Sequence, residues 1–597
     1  MKGAFVILIL LWSSFCSAQK EDHKWIYHFG AIDTIEFPIA AASVLDFNYL
    51  PPKAEVRNEI LIFMSESHAS ICDENGELLL YSNAQTVYGP DHEFIEGGDT
   101  INHSRVWDTF FLPVSGELVT TGLRGIQQVG FIPQPDTDTI LVLYQDRSDY
   151  NLDPELNDMR LLMSKVTSDS PNNFRITSKD ILVNENIRLV GNITACRHAN
   201  GRDWWLLQFG QREVFTYLID PQGLRLSFID ELPFTLKSPS VGQAKFSPSG
   251  DKFALIGLSE TNSSDGLELL LSDFDRNTGR LVEPELYFLN SSDNFISTGL
   301  AFSPSGELLY YSSLHSIQQL DLTATDLLGS VEVIAEHNGI NNCQGIDLGA
   351  LTLWGQMQLG PDNKIYISLS AQCSDVHVIH QPDVRGIECD MEQNAIILPT
   401  FVFGTIPTFN TLRLGPLDGS PSDTLGLNNN PVSRFWYEQD SVDFLTSQFW
   451  DVSYFRPESW EWSFGDGTTS TDRFPSHTYS AGGIYEVCLT VSNENSSNTS
   501  CQTLNLGMVS TSDENISFDI SIFPNPTTDY LRLTFHDYLP RQATVVLYDM
   551  SGAQVLTQSL IGGANILDLT SVVSGTYVYE IRDQGVVIGS GKVVKVE

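Results

Sequence analysis

A chain of 597 residues is too long for a single hydrophobic core and implies several domains. Lys and Arg number 33 against 75 Asp and Glu, a formal charge of −42, whose field repels phosphate backbones and anionic lipid and argues against nucleic-acid or membrane-surface binding. A hydrophobic fraction of 42% with only 18% charged residues excludes wholesale disorder, because enough apolar surface exists to offset chain entropy.

The N-terminus reads as a secretory signal. Lys2 supplies the positive region, Ala4 to Trp12 a short apolar core, and Cys16-Ser17-Ala18 small residues before a cut expected between Ala18 and Gln19. Cys16 follows Phe15 rather than a small residue, which sets a lipoprotein aside. No later run approaches ~18 apolar residues, so no transmembrane segment is expected. With Cys16 gone, seven of the eight cysteines remain, an odd number that leaves at least one free or paired outside the chain. No Cys-x-x-Cys pair supports zinc or thioredoxin-type chemistry.

Residues 19–415 carry a repeated hairpin. AKFSPSGDKFALIGL begins at Ala244, LAFSPSGELLYYSSL at Leu300 and MQLGPDNKIYISLS at Met357. Each is an apolar strand, a tight turn with Pro and Gly or Asn, and a second apolar strand. Pro presets φ for the first central position, and Gly or Asn tolerates the positive φ that follows. Pro248 and Pro304 are 56 residues apart, and Pro304 and Pro361 are 57. That period predicts the blades of a β-propeller. Degenerate copies come earlier, at Ile71 (ICDENGELLLYSN), Phe131 (FIPQPDTDTILVLYQD) and Ile193 (ITACRHANGRDWWLLQFG). The span holds about seven such periods. Closure is expected by pairing Trp25–Phe29 with strands near Phe409–Leu414, which would remove an exposed edge.

WIYHFG from Trp25, HASICDENGELLLYSN from His68, HANGRDWW from His198 and the FSPSG repeats together resemble secreted Bacteroidota propeller proteins. The stretch AQTVYGPDHEFIEGG after Asn83 keeps only part of the usual pattern. The resemblance implies the fold and carries no assigned activity.

Residues 416–431, with LDGSPSDTLGLNNNP from Leu417, read as a linker. In residues 432–508, Trp460, Trp462 and Phe464 alternate before the Gly465-Asp466-Gly467 turn, and Tyr485, Val487, Leu489 and Val491 alternate after it. Period-two strands of this kind predict a small β-sandwich. WEWSFGDGTTST, PSHTY and GGIYEVCLTVSN in that order resemble the Ig-like PKD domain. Cys488 and Cys501 flank the turn Asn493–Ser497 symmetrically and are expected to form a disulfide across a hairpin.

Residues 519–597 alternate strongly between Pro-Asn-Pro and Gly turns, as a compact antiparallel sandwich would. Their FPNP, YDMSG and GTYVYEI…GKVVKV blocks resemble the type A C-terminal sorting domain of type IX secretion. That resemblance implies export through the outer membrane, with the type IX machinery as partner.

The chemistry-bearing residues are sparse. DFDRNTG (Asp273–Gly279) superficially resembles a calcium loop, but the twelfth position is Pro284 where an EF-hand needs Glu, so turn chemistry explains it better. His68, His92, His103 and His198, with Asp108, Asp146 and Asp149, lie in the early blades, where a channel carboxylate pair could do acid–base work. No nucleophile elbow, zincin or phosphate-loop motif supports that. Trp204-Trp205 suggests a sugar platform, yet adjacent strand residues face opposite ways, so at least one belongs to a core.

The whole reads as an all-β protein: propeller, PKD sandwich and sorting sandwich. The favoured function is non-enzymatic binding or adhesion at the cell surface or outside it, with a protein or polysaccharide ligand and no cofactor or metal. The alternatives are a polysaccharide hydrolase or lyase using channel carboxylates, and a structural part of the surface or gliding apparatus.

Overall fold

The structure, a computed structural model, describes residues 20–596 apart from 28–41, 103–110, 121–125, 148–158, 188–191, 238–241, 259–265, 290–298, 339–353, 507–519, 524–526, 536–542, 549–553, 561–563 and gaps of one or two residues elsewhere. Ala18, Gln19, Phe29, His103, Asp108, Asp149 and Cys343 lie outside the described residues. The chain divides into two compact units, one ending at Leu506 and one beginning at Gly507.

In the first unit, strands from Lys24 to Phe403 build eight antiparallel sheets among the described residues: a two-stranded hairpin (Phe111–Val114 with Glu117–Thr120) and seven meanders of three or four strands consecutive in sequence, numbered one to seven in chain order. The fifth sheet is typical: Ala244–Phe246, Lys252–Leu258, Leu267–Asp275 and Arg280–Leu289, paired in that order. Positive φ values at Gly250 (71°), Gly306 (75°) and Asn363 (63°) show why the three hairpin turns need Gly or Asn. At Gly250 space adds to conformation, since a Cβ there would lie 2.6 Å from Leu414 and 2.9 Å from the Cys196 sulfur.

Each sheet packs on the next through its own apolar cluster, and the last returns to the first. Ile26 and Val44 meet Tyr81 between sheets one and two. Leu141 and Leu143 meet Trp204 and Leu206 between three and four, and Leu255 and Leu270 meet Leu207 between five and four. Tyr310 meets Trp354 and Ile367 between six and seven. Trp25, Leu45 and Phe47 meet Tyr366 and Val378 between one and seven. A closed ring of radially packed meanders is a β-propeller.

Closure differs from the sequence expectation. Lys24–Tyr27 pairs with Ala42–Asp46, and Phe409 touches Trp25 only through the rings, 5.7 Å apart. Among the described residues, the backbone from Ile406 onward forms no strand with the first sheet. It runs along the inner strands instead. Thr408 N–H donates to His68 O (2.8 Å), Thr411 N–H to Ala195 O (3.1 Å) and Leu417 N–H to Ala199 O (2.7 Å). The physical reason is the inner strand's free edge, whose unpaired N–H and C=O groups need partners once buried.

The PKD region packs a three-stranded sheet (Phe435–Gln439, Thr446–Asp451, Ser476–Thr478) on a four-stranded one (Thr469–Ser470, Ser459–Ser463, Gly483–Ser492, Ser497–Leu506). Phe435, Phe449, Trp462, Phe464 and Leu489 fill the space between them. The connecting stretch is tied at both ends: the buried Asn429 side chain donates to Pro416 O (2.8 Å), and Asn493 Nδ2 donates to Asn429 O (2.6 Å).

The second unit is also a two-sheet sandwich. Ile520–Phe523, Tyr530–Phe535 and Ala564–Asp568 form one sheet, and Gln554–Leu560, Ala543–Tyr548, Gly575–Asp583 and Val586–Lys595 the other. Leu531, Leu533, Val545, Leu547 and Ile581 form its core. Lys595 is buried near the chain end, and its Nζ donates to Leu569 O and Val572 O, both at 2.6 Å.

Candidate functional site

The central channel of a propeller is where loops and inner strands converge, and here residues 408–411 lie against the first strands of several sheets. Asn410 bridges two inner strands: its Oδ1 accepts the Ala195 N–H (3.0 Å) and its Nδ2 donates to Phe131 O (2.8 Å). Further along, Arg276 donates to Gly415 O (2.6 Å). Glutamines cross-link the inner strands beside this segment. Gln127 exchanges two hydrogen bonds with the Ala244 backbone (2.7 and 3.0 Å), and Gln243 Oε1 accepts N–H groups from Leu300 (3.0 Å) and Met357 (2.8 Å). Lys245 reaches from the fifth sheet to Gln358 Oε1 on the seventh. Burial pulls its amine down to about 7. These groups satisfy one another, so the arrangement locks strands together rather than leaving an open cleft between paired carboxylates.

The described residues singled out by the sequence, His68, His92, His198 and Asp146, do not assemble. The buried His68 ring lies against Tyr27, 6.4 Å between centroids. His92 Nδ1 is 3.3 Å from the Tyr81 hydroxyl, and His198 Nδ1 accepts the Asn200 N–H (3.0 Å) inside its own turn. Burial lowers the proton affinity of both His92 and His198. Asp146 is buried and ion-paired with Arg160. His68 and His92 flank the second sheet, His198 lies in the turn after Thr194–Arg197, and Asp146 lies in the strand Thr139–Arg147, each with local partners. Among the described residues, no three His, Cys, Asp or Glu side chains converge as metal ligands.

Trp204 and Trp205 are both core residues, 0% and 5% exposed, so neither offers a sugar platform. Trp204 lies under the Arg197 guanidinium (3.7 Å), and Trp205 Nε1 donates to Arg276 O (2.8 Å). In DFDRNTG, Asp275 caps its turn by accepting the Asn277 N–H (2.9 Å) and the Thr278 hydroxyl (2.7 Å). Asp466 does the same for Thr468 and also accepts from His477 Nε2 (2.8 Å). Cys488 and Cys501 are directly opposed on neighbouring strands and disulfide-bonded. Cys72, Cys196 and Cys389 are free and buried, and Cys373 is disulfide-bonded.

Sequence reasoning missed two clusters. Lys245 stands where the parallel repeats have Ala301 and Gln358, and a lone charge in an apolar inner strand was the available signal. The second joins propeller to PKD domain. Asp22 ion-pairs with Arg413, and Arg434 contacts His23 and donates to Phe47 O (2.7 Å) and the Tyr454 hydroxyl (2.8 Å). Burial pushes the Glu21 carboxyl up to about 7 and pulls His23 down to about 4. Lys364 lies over Trp436 (4.1 Å) across the same junction.

Comparison with known proteins agrees with this layout over its last two domains. Residues 438–507 match the PKD domain, and residues 521–595 match the secretion system C-terminal sorting domain. The PKD1 domain of the Vibrio cholerae metalloprotease PrtV is similar at 32% identity, covering 13% of this chain and 95% of that one, TM-score 0.12. A quinonprotein alcohol dehydrogenase-like protein from Bacteroides thetaiotaomicron (9% identity, 65% of this chain, 78% of that one, TM-score 0.30) and the Dos1 propeller (12%, 57%, 72%, TM-score 0.28) are also similar. No curated protein matches the chain. The propeller itself is identified by the sheet order described above. The chain is a modular all-β substrate of type IX secretion, destined for the cell surface or the exterior, in which a β-propeller and a PKD domain precede a C-terminal sorting domain.

Proposed function

We propose that this protein is a non-enzymatic binding or adhesion protein, with the propeller as the ligand-presenting module. The observation that carries the reading is the cross-linking of the inner strands. Asn410, Gln127, Gln243 and the Lys245–Gln358 contact tie the first strands of different sheets to one another, in the region where a propeller enzyme would hold reacting groups. The sequence-flagged His and Asp residues that are described serve turns, ion pairs and cores, which also favours binding over catalysis. Docking of the PKD domain through Arg434 and Trp436 makes it a rigid base rather than a loose spacer.

The ligand is a protein or a polysaccharide, recognised on the outer faces or loops. Immobilised protein lacking residues 519–597 should retain specific components from panels of surface glycans and extracellular proteins. Hydrolysis or eliminative cleavage of a retained glycan, abolished by channel substitutions, would overturn the reading in favour of an enzyme.

A further inference from the structure

The strand Arg280–Leu289 is the outermost of its sheet, hydrogen-bonded on one side to Leu267–Asp275 and, among the described residues, to no strand on the other. Its free edge is a template for a further strand. Pro284 lacks an N–H, so the usable stretch is Glu285–Leu289.

A cavity lies on each face of this edge. On one, Leu286 and Phe288 stand with Phe234 around a space of about 610 Å³ whose floor includes Glu268. Glu268 is 3% exposed; one carboxylate oxygen accepts the Lys237 N–H (3.0 Å) and the other is enclosed without a hydrogen bond. On the other face, Glu283, Glu285, Asp273 and Asp326 border a space of about 520 Å³ with a single ammonium, Lys252, already bonded to Asp273 (3.1 Å). Phe288 is 58% exposed at the rim.

Successive side chains of a strand point to opposite faces, so a segment added along this edge delivers neighbouring side chains to the two cavities in turn. The second cavity carries excess carboxylate, and the first sets Glu268 against Lys237 on its wall. In the first, the rings of Phe234 and Phe288 suit an alkyl stem, and Glu268, which accepts the Lys237 N–H through one oxygen, has a second oxygen without a hydrogen bond, which a long basic side chain supplies. In the second, four carboxylates face one ammonium. The net charge of −42 draws in a basic partner over longer range. We propose that the edge Glu285–Leu289 docks an extended segment of a partner protein bearing adjacent Lys or Arg residues, one entering each cavity. The proposal rests on the binding-protein reading and names its partner's chemistry.

The test uses the full chain and a fluorescent Val-Lys-Lys repeat peptide at physiological salt, read by anisotropy. Saturable binding is expected. Glu283→Lys with Glu285→Lys, both exposed sites, should weaken it about tenfold, as should Glu268→Gln, and N-methylating alternate peptide amides should do the same because a strand then cannot add. Absent binding overturns the proposal. So does equal binding of the N-methylated peptide or of the charge-reversed protein, which would be general attraction to an acidic surface. If the peptide fails while the chain still captures a glycan or another protein, this edge is refuted and the binding-protein reading stands.

Discussion

Glu21 and His23 sit two residues apart at the propeller–PKD junction, and burial shifts them in opposite senses. His23 is held near 4 against an ordinary 6.5, so the fold favours its neutral form. Its contribution is complete above 6.5 and is lost as pH falls toward 4. Glu21 is held near 7 against 4.5, so the fold favours its protonated form, and that contribution is complete below 4.5 and lost as pH rises toward 7. Each spans up to about 3 kcal/mol. Between 4.5 and 6.5 the folded chain carries one proton, on Glu21, and the unfolded chain one, on His23, so their effects on stability cancel. Single substitutions should unmask them. His23→Gln should make stability fall as pH rises from 4.5 to 7, and Glu21→Gln should make it rise from pH 4 to 6.5. Denaturant unfolding across that range checks both slopes. The Cys488–Cys501 bond gives a second residue-scale prediction: with 13 residues of separation, Cys488→Ser with Cys501→Ser should cost about 3 kcal/mol. The loss should appear as an earlier PKD transition in urea.

At the scale of elements, the hairpins were readable in the sequence because turn chemistry is local. Gly250, Gly306 and Asn363 adopt the positive φ that their turns require, and no distant residue decides that. The segment 406–417 was read differently because its hydrogen bonds are non-local. Nothing in PTFNTLRLG tells Asn410 to seek Ala195 and Phe131, more than 200 residues earlier. The same holds for Lys245, whose partner is on another sheet. Asn410→Leu should leave the Ala195 N–H and the Phe131 carbonyl buried without these partners, at about 1–3 kcal/mol for each. The propeller transition should move to lower denaturant while the PKD transition, monitored through its own tryptophans, stays in place. Coincident shifts of both would mean that the segment couples the two regions into one cooperative unit.

The whole molecule separates what binds from what exports. The sorting sandwich is a compact unit of its own beginning at Gly507, with its own apolar core of described residues. Its last strand is sealed from within: Thr527 N–H donates to Val594 O (2.9 Å), Val596 N–H to Thr527 O (2.8 Å), and the buried Lys595 ammonium binds two carbonyls of the loop after Asp568. An independent unit can be removed without unfolding the other. Deleting residues 519–597 should therefore leave a propeller and PKD domain with unchanged unfolding midpoints but stranded in the periplasm. Lys595→Ala should act differently, because it unpairs Leu569 and Val572 carbonyls in the sandwich itself and costs about 2–3 kcal/mol there. Export should then fall in proportion to the unfolded fraction of the sorting domain, recovering at lower growth temperature, whereas the deletion should not recover. Fractionating cells that express each variant, at two temperatures, reads both outcomes, and full export of the deleted protein would remove the sorting domain from its assigned role.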